Sequence, residues 1–484
     1  MAKQKMLQFT KLDRRTPDKR AAAARRKDFA EIYGGFDAKG ANAQASRCEQ
    51  CGIPFCSIHC PVHNHIPDWL MLAATDRLEE AYAVSSATNT LPEICGRICP
   101  QDRLCEGSCV LEQSTHGAVT IGAMEKYITD TAFEKGWVKP FTPRVERPES
   151  VGIVGAGPAG LAAAEQLRRV GYRVDVYDRY DRAGGLLTYG IPGFKLEKEV
   201  VARRVKVFED SGVVFHPNTD IGKTVTMREL RRRHHAVVIA TGVYKARALD
   251  LPGAALAGVI PALEYLTCSN RLNLGDTPEG FTSGRLDAKG KKVVVIGGGD
   301  TAMDCLRTAV RQGATSVKCL YRRDRANMPG SQREVDNAIE EGAEFVWLTQ
   351  PLEITGTAKG GVAGVRTVRM HLGLPDASGR QSPAPVPGSE ALIEADMVIE
   401  ALGFEPEDLP AMFGEPELAV RRSGTLEVDA ATMMTTLDGV FAAGDIVRGA
   451  SLVVWAVRDG RDVAQHVHAY IRQGAEASSL VNAG

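Results

Sequence analysis

Residues Val151–Asp178 read VGIVGAGPAG LAAAEQLRRV GYRVDVYD. An apolar run, a glycine-rich turn and an amphipathic segment follow one another, which predicts strand Val151–Val154, helix Leu161–Val170 and strand Arg173–Tyr177. The turn has three glycines in G-x-G-x-x-G order, Gly155, Gly157 and Gly160. They allow a tight turn, the approach of a pyrophosphate and close packing of helix on strand. Asp178 ends the second strand, where its carboxylate can accept from ribose hydroxyls, so the stretch predicts a dinucleotide-binding fold.

A second stretch, Lys291–Asp304, repeats this pattern as KKVVVIGGGDTAMD. After predicted strand Val293–Ile296 the turn and the start of a helix carry the candidate nucleotide-binding residues Gly297, Gly299, Asp300, Thr301 and Ala302. The next predicted strand, Val317–Tyr321, ends in Arg322 and Arg323 instead of an acid. Arginine at that position accommodates the 2′-phosphate of NADP, whereas an acid favours the free hydroxyl of NAD. We therefore expect NADPH here; the alternative is that both arginines are solvated.

Small residues elsewhere are candidates for flavin contacts. Short glycine-containing turns follow apolar or loop segments at Gly185 and Leu186, at Gly242, and at Gly444 and Asp445. Such turns let the backbone lie against an isoalloxazine ring, and a carboxylate at Asp445 could accept from a ribityl hydroxyl. A helix predicted over Leu452–Ile471 would place its positive N-terminal end nearby, which favours negative charge on a reduced flavin. A plain loop is the alternative at 183–192.

The two nucleotide motifs together indicate an α/β chain with two Rossmann-like domains, the second inserted in the first. We expect an FAD-binding domain at 148–249 and 403–484, and an NADPH-binding domain at 250–402. Neither contains a C-x-x-C sequence, which argues against a disulfide relay of the thioredoxin reductase type.

Cysteines dominate the segment before these domains. Eight of the eleven cysteines form two groups, Cys48-x2-Cys51-x4-Cys56-x3-Cys60-Pro and Cys95-x3-Cys99-Pro-x4-Cys105-x3-Cys109. The chain shows no secretory signal, so we expect a reducing compartment, where disulfides are rare. Structural zinc sites use two C-x2-C pairs, and only Cys48 and Cys51 form such a pair here. Cysteine runs closed by Cys-Pro are typical of ferredoxins with two clusters, so iron–sulfur fits best. Three further cysteines, Cys268, Cys305 and Cys319, are expected to be ordinary buried thiols.

Ferredoxin spacing also suggests how the cysteines divide. The last cysteine of such a run ligates the other cluster. Cys48, Cys51 and Cys56 would then share one cluster with a ligand from the second group, and Cys60 would join Cys99 and Cys105. The sequence does not choose further. Residues 1–147 are expected to form a helical cluster domain, with helices over Asp68–Ala87 and Ile121–Trp137 and a proline-rich linker at Lys139–Ser150.

Composition limits the remaining function classes. The net charge is −1 and the longest apolar runs fall short of a membrane span, so neither nucleic acid nor a membrane is favoured as a partner. The basic first 30 residues lack the apolar core of a secretory signal, and a cytoplasmic location is expected. Thr16 and Pro17 predict the start of a solvated helix that ends near Gly34; a docking surface for a partner is the alternative.

Several of these motifs in combination resemble one family. They include QASRCEQCGIPFCSIHCPVHNHIPDW, GRICPQDRLCEGSC, YGIPGFKL, VVVIGGGDTAMDC, YRRDRANMPG, EALGFEP and GVFAAGD. From about Phe29 to Asp462 the chain resembles the small (β) subunit of NADPH-dependent glutamate synthase. The same module resembles the amino-terminal half of dihydropyrimidine dehydrogenase and the large subunits of NADPH–ferredoxin transhydrogenases.

The resemblance implies an adrenodoxin-reductase-like pair of domains that hold FAD and NADPH, preceded by a domain with two [4Fe–4S] clusters. It assigns Cys48, Cys51, Cys56 and Cys109 to one cluster, and Cys60, Cys99, Cys105 and Glu125 to the other, with Cys95 as a bystander. It also implies a large (α) subunit as partner in a hetero-oligomer, which makes L-glutamate from L-glutamine and 2-oxoglutarate. No catalytic side chain is expected, because the cofactors perform hydride transfer. The alternatives are the flavin subunit of another NADPH–ferredoxin-type oxidoreductase, and a zinc-stapled, nucleotide-sensing interaction protein.

Overall fold

A computed structural model describes residues 6–376 and 381–482. Its strands are β1 Ser150–Val154, β2 Arg173–Tyr177, β3 Val213–His216, β4 Ala236–Ile239, β5 Lys245–Ala246, β6 Val259–Pro261, β7 Lys292–Ile296, β8 Ser316–Tyr321, β9 Glu344–Trp347, β10 Thr349–Gly356, β11 Val362–Pro375, β12 Gln381–Pro385, β13 Ala391–Glu394, β14 Met397–Glu400, β15 Phe404–Glu405 and β16 Val440–Ala442.

Helices fill the N-terminal part and cover the sheets. They are α1 Ala22–Arg25, α2 Ala38–Ala45, α3 Phe55–Ile58, α4 Ile66–Ala74, α5 Leu78–Thr88, α6 Pro92–Ile98, α7 Ile121–Glu134, α8 Pro158–Val170, α9 Leu186–Tyr189, α10 Lys198–Asp210, α11 Met227–Arg233, α12 Ala262–Asn273, α13 Glu279–Thr282, α14 Asp300–Gln312, α15 Gln332–Glu341, α16 Leu409–Phe413, α17 Asp445–Arg448 and α18 Val453–Asn482. No helix among the described residues is long and apolar enough to cross a bilayer.

Two parallel sheets organise the chain after residue 150. The first has the order β16-β4-β1-β2-β3, and the second has the order β6-β14-β7-β8-β9. Every residue of the central strand β1 is buried, as expected for a parallel sheet covered on both faces. The predicted strands Val151–Val154, Arg173–Tyr177, Val293–Ile296 and Val317–Tyr321 are confirmed to within one residue at each end.

The chain passes between the two sheets at a short antiparallel pair. β5 pairs with β15, with Lys245 opposite Glu405 and Ala246 opposite Phe404. β10 to β13 form a separate antiparallel sheet, in which β11 pairs with β10, β12 and β13. Residues 377–380, between β11 and β12, lie outside the described residues.

The N-terminal part is helical, with one break that the sequence pattern hides. The predicted helix Asp68–Ala87 is two helices, α4 and α5. Asp76 lies between them with φ +61°, a left-handed conformation that interrupts the helix. The predicted helix Ile121–Trp137 is confirmed as α7, which ends three residues earlier.

The prediction of a solvated helix from Thr16 to Gly34 is wrong. The only helix within residues 14–35, which we call the N-terminal strap, is the four-residue α1. Arg25 in α1 is 1% exposed and pairs with Glu341 at 2.9 Å and with Glu340 at 2.6 Å in α15. Long-range ion pairs therefore determine the conformation of the strap, and they override the local helix signals.

Three arginines converge on the buried carboxylate of Glu341. Arg307 makes two hydrogen bonds of 3.0 Å to it, and Arg25 and Arg311 also donate. Burial opposes ionisation, but the hydrogen bonds from Arg311 and Arg307 prevail and lower the pKa of Glu341 to about 2. This cluster joins the strap to α14 and α15.

Replacing Arg307 with Met should destabilise the second nucleotide domain, because Glu334 and Glu341 would both lose a buried cationic partner. Removing one partner from a buried pair costs about 3–5 kcal/mol, which should lower the midpoint of thermal unfolding followed by circular dichroism. Arg366→Met is the matched control, since the Arg366–Glu353 pair on the antiparallel sheet is exposed and should contribute less than about 1 kcal/mol. Equal shifts for the two variants would contradict the structural role of the cluster.

Candidate cofactor sites

One cavity of about 260 Å³ connects the two nucleotide motifs. The predicted residues that line it are Gly155, Gly157, Asp178, Leu186, Gly242, Asp445, Asp300 and Thr301. The same cavity is also lined by Ile98, Cys99 and Pro100 from the end of α6. The fold thus brings the two nucleotide motifs and one cysteine of the second group to a common space.

The first glycine turn has the shape that a dinucleotide requires. Gly155 has φ +107°, a conformation that favours glycine, and its N–H donates to the Tyr177 carbonyl at 2.8 Å. A Cβ added to Gly157 would meet no atom within 4 Å, so the backbone there borders open space. Helix α8 begins at Pro158 directly beyond and directs its N-terminal end to this space. The turn therefore fits a pyrophosphate.

Asp178 is held by the backbone around it. Its two carboxylate oxygens accept from Ala156 N at 2.7 Å and from Tyr180 N at 2.8 Å. Burial raises the pKa of Asp178 despite these hydrogen bonds. Each oxygen retains a second lone pair, and the residue also borders a small adjoining pocket lined by Arg179 and Tyr244.

Sequence reasoning missed the residues of this adjoining pocket. Arg179 lies over the Tyr244 ring, 4.7 Å from its centroid, and donates to Glu407 at 2.9 Å. Arg179 directly follows Asp178 in the sequence, which was the one available signal. Because the pocket continues from the strand-end acid, it is the candidate site for the adenosine end of the first dinucleotide.

Three of the predicted flavin contacts, Leu186, Gly242 and Asp445, line the cavity. Asp445 accepts a hydrogen bond of 2.6 Å from Ser451, and α18 starts two residues later at Val453, which also lines the cavity. The other predicted glycines, Gly185 and Gly444, precede α9 and α17 directly. These short helices and the N-terminal end of α18 fit a ring system with small residues around it.

A buried lysine supports the cavity wall. The Lys198 ammonium donates to the Leu187 carbonyl at 2.9 Å and also to the Ile191 carbonyl. Burial lowers the pKa of Lys198 to about 7, since few charged partners compensate for the lost water. Leu187 and Ile191 line the cavity, whereas Lys198 does not, so this lysine holds the backbone of both residues without itself lining the cavity.

The second glycine turn follows the same design. A Cβ on Gly299 would again meet no atom within 4 Å, and α14 begins at Asp300. The segment 329–331 closes over the turn, because Gly330 N donates to the Gly298 carbonyl at 2.9 Å and Ser331 N donates to Asp300 at 3.0 Å. Of the other predicted residues, Gly297 and Gly160 lie where strand meets helix, and Ala302 is buried.

The arginines after β8 differ in their freedom to bind a ligand. Arg322 is exposed and has no hydrogen bond or ion pair within residues 6–376 and 381–482. Arg323 Nε donates to the Gln381 carbonyl at 3.2 Å, and Arg325 is paired with Asp336. Arg322 is therefore the arginine most available to a 2′-phosphate.

Two smaller cavities separate the cysteines into two sets. One cavity is lined by Cys48, Cys51, Cys56 and Cys109. The other is lined by Cys60, Cys95, Cys99, Cys105 and Glu125. Burial raises the pKa of Cys48 to about 11 and those of Cys56 and Cys60 to about 12, so only a bound cation would hold them as thiolates. Four thiol donors round a space fit an iron–sulfur cluster in chemistry.

Glu125 points a carboxylate into the second of these cavities. Its Oε1 accepts hydrogen bonds from Asn64, Ser85 and Asn89 at 3.2–3.4 Å. Its Oε2 has no hydrogen-bond partner within the part of the chain that the structure describes. Burial raises the pKa of Glu125 to about 8. An oxygen without a donor, on a buried side chain that lines the cavity, suits a metal ligand.

The structure also places Cys95 in this cavity, where the resemblance implies a bystander. Its thiol lies 3.8 Å from Asn89 Oδ1, the same side chain that donates to Glu125. Cys95 and Glu125 are thus both close enough to compete for the fourth position. No three His, Cys, Asp or Glu side chains among the described residues converge as a single metal ion requires. The other three cysteines, Cys268, Cys305 and Cys319, are buried as expected.

The two cysteine cavities and the nucleotide cavity adjoin one another. Ile121 lines both cysteine cavities, and Cys99 lines both the second cysteine cavity and the nucleotide cavity. Phe55 lines the first cysteine cavity and is 46% exposed, and the neighbouring residues Ile53 and Ile58 are 64% and 51% exposed. The sites therefore form a series from the nucleotide cavity to the surface.

Known proteins share both parts of the chain. Residues 25–137 match the family described as dihydropyrimidine dehydrogenase domain II, 4Fe-4S cluster, and residues 149–460 match the pyridine nucleotide-disulphide oxidoreductase family. The chain is 66% identical to the glutamate synthase [NADPH] small chain of Azospirillum brasilense, over 100% of each chain. It is 47% identical to the protein of that name from Escherichia coli, over 96% of this chain and 98% of the other.

Two further likenesses are less specific. A putative oxidoreductase, AegA of Escherichia coli, is 46% identical, over 96% of this chain but 71% of its own length. Among solved structures, Mycobacterium tuberculosis FprA in complex with NADPH has a TM-score of 0.57 at 22% identity, over 69% of this chain and 86% of the other. This structural likeness shows the fold of the two nucleotide domains.

Replacing Glu125 with Ala should remove about half of the bound iron, because one of the two expected clusters would lose its expected ligand. Cys105→Ser should have the same effect, and Cys95→Ser should leave iron content unchanged. Iron is measured on the purified chain by colorimetric assay, alongside visible absorbance. Glu134→Ala, an exposed glutamate on the same helix, is the control. Full iron in Glu125→Ala with loss in Cys95→Ser would assign the ligand to Cys95 instead.

Proposed function

The chain belongs to the family of glutamate synthase [NADPH] small chains, and we propose that it is the electron-input subunit of such an enzyme. It is an NADPH-dependent oxidoreductase with FAD and [4Fe–4S] clusters as cofactors. The proposed partner is a large subunit that receives the electrons and makes L-glutamate from L-glutamine and 2-oxoglutarate. One observation carries the proposal: a single cavity is lined by both nucleotide motifs and by Cys99 of the second cysteine group.

We assign the first motif to FAD and the second to NADPH. The FAD residues are Gly155, Gly157, Gly160, Asp178, Gly185, Leu186, Gly242, Gly444 and Asp445. The NADPH residues are Gly297, Gly299, Asp300, Thr301, Ala302, Arg322 and Arg323. The corresponding domain division is 1–147 for the clusters, 148–249 with 403–484 for FAD, and 250–402 for NADPH. The two parallel sheets, joined at the β5–β15 pair, support this division.

Bound FAD would supply the chemistry that connects NADPH, a two-electron hydride donor, to iron–sulfur clusters, which take one electron at a time. The chain's own residues orient and insulate the reactants. Lys198 fixes the loop that bears Leu187 and Ile191, and α18 directs the positive end of its dipole to the cavity. Apolar side chains at Leu186 and Leu452 limit water in the cavity.

The proposed clusters lie in a defined order. The set Cys60, Cys99, Cys105 and Glu125 adjoins the flavin cavity through Cys99. The set Cys48, Cys51, Cys56 and Cys109 lies beyond it, across Ile121, and borders the surface. Electrons would therefore leave through the first cysteine group, although that group comes first in the chain.

The surface over the first cysteine group is the proposed contact with the large subunit. Ile53, Phe55 and Ile58 form what we call the exit patch, and all three are more than 40% exposed. Exposed large apolar side chains that are close together mark interaction sites more often than chance. The proposed compartment is the cytoplasm, where cysteine ligands stay reduced.

A different oxidoreductase complex is the second candidate. The likeness to AegA shows that the module also occurs in a longer putative oxidoreductase. The match to glutamate synthase small chains over the whole length of both proteins favours the first candidate. Co-purification discriminates, because a large amidotransferase-like chain supports the first candidate and a second flavoprotein supports the other.

Replacing Arg322 with Ala should raise the KM for NADPH by about tenfold to a hundredfold, the usual value of a charged hydrogen bond, and leave the KM for NADH unchanged. The reason is that only NADPH carries the 2′-phosphate. Steady-state reduction of ferricyanide by each nucleotide measures both constants. Arg325→Ala is the matched control, since Arg325 in the same loop is paired with Asp336. Equal effects on NADPH and NADH would mean that Arg322 does not recognise the phosphate.

Replacing Ile58 with Glu should abolish glutamate formation by the reconstituted pair of subunits, because a charge would be buried in the proposed contact. Reduction of ferricyanide by NADPH should stay at the unmodified rate, since that small acceptor needs no partner. Leu392→Glu, at an exposed leucine on β13, is the control and should retain both activities. Glutamate formation by the isolated chain would refute the division of labour between the subunits.

A further inference from the structure

The loop between Cys99 and Cys105 contacts the second nucleotide domain directly. Arg103 in this loop donates from Nη1 to the Pro329 carbonyl at 2.9 Å. Gln101 accepts a hydrogen bond of 3.2 Å from Arg333. Pro329 belongs to the segment that closes over the second glycine turn. A loop of the cluster domain therefore forms part of the mouth of the second nucleotide site.

The Arg103 side chain lies close to Asp300, the first residue of α14. Its Nη2 is 3.7 Å from Asp300 Oδ2, and the two side chains are 48% and 39% exposed. The N-terminal end of this helix follows the open backbone of Gly299, where the dinucleotide pyrophosphate of a Rossmann-type domain binds. A ligand at this position would lie beside the Arg103 guanidinium.

Most hydrogen-bond donors of the Arg103 guanidinium are unused in the part of the chain that the structure describes. Of its five N–H groups, only one on Nη1 makes a hydrogen bond within the described residues. Two other cations line the cavity that Asp300 borders, and both already have partners: Lys195 pairs with Asp304 at 3.0 Å, and Arg333 donates to Gln101 at 3.2 Å. Arg322 lies at the end of β8 and is assigned to the 2′-phosphate.

The pyrophosphate needs a cation at this point. It would bring two negative charges close to the carboxylate of Asp300, and like charges at such a distance repel. The partial positive charge of one helix end compensates for only about half a charge. Arg103 is the residue in contact with Asp300 that can supply the rest.

We propose that Arg103, from the cluster domain, is a ligand of the NADPH pyrophosphate. The inference rests on the proposed NADPH site and adds to it a contact from outside the nucleotide domain. Because NADPH and NADH share the pyrophosphate, Arg103 should act on both nucleotides. Arg322, in contrast, should act on NADPH alone.

The test is direct binding of NADP⁺ and NAD⁺ to the purified holoprotein by isothermal titration calorimetry. Arg103→Ala should raise the Kd of both nucleotides by a similar factor, about tenfold for a partly exposed charge-assisted hydrogen bond. Arg103→Lys should recover part of the affinity, because it restores the charge without the planar fork. Arg77→Ala is the matched control, an exposed arginine of the same domain that pairs with Glu80.

Arg103→Gln separates binding from a structural effect on the cluster. Glutamine can still donate to the Pro329 carbonyl but carries no charge, so iron and flavin content should be normal while both Kd values rise. Unchanged Kd values in Arg103→Gln, or a rise for NADP⁺ only, would overturn the proposal. In that case Arg322→Ala still reports on the site itself: a rise in the Kd of NADP⁺ alone leaves the proposed function standing. No binding of NADP⁺ to the unmodified protein would refute both.

Discussion

The relation between the cysteine cavities and the nucleotide cavity depends on one buried ion pair. Arg204 of α10 donates to both carboxylate oxygens of Glu93 in α6, at 2.6 and 2.8 Å, and both side chains are buried. At the other end of α6, Cys99 lines the nucleotide cavity. A bidentate pair in a low-dielectric interior has one favourable geometry and is costly to separate. It therefore fixes the helix, and with it the cysteine that connects the two kinds of site.

Further polar contacts hold the same domain from the other side. Arg458 and Arg461 on α18 donate to the carbonyls of Pro61 and Ala87, at 2.7 and 2.8 Å. α18 also starts at the nucleotide cavity, so this one helix contacts both that cavity and the cluster domain. Cofactors that exchange electrons must keep their separations constant, and such rigid elements provide that constancy.

The N-terminal strap performs a comparable role for the second nucleotide domain. Arg25 reaches Glu341 in α15, whereas Glu31 accepts from Arg97 at 2.6 Å and Lys126 at 2.7 Å in the cluster domain. Ile32 N donates to the Phe194 carbonyl of the first nucleotide domain at 3.3 Å. One short segment thus contacts all three parts. Buried charges are poor sources of net stability, but they select one arrangement over others.

The sequence by itself determined the types of site: the glycine turns with their strands and helices, because local spacing fixes them, and the cysteine-rich character of the N-terminal part. The sequence pattern predicted continuous helix across Asp76, where the structure has a break. It also predicted a helix in the strap, where the ion pair of Arg25 with Glu341 favours another conformation. Only the tertiary structure showed that Cys95 shares a cavity with Glu125. It also showed that Arg322 is unpaired among the described residues, whereas Arg325 pairs with Asp336. Finally, it placed the Arg103 guanidinium close to the Asp300 carboxylate. The physical reason is that these contacts join residues far apart in the chain, whose distances depend on how whole helices and sheets pack.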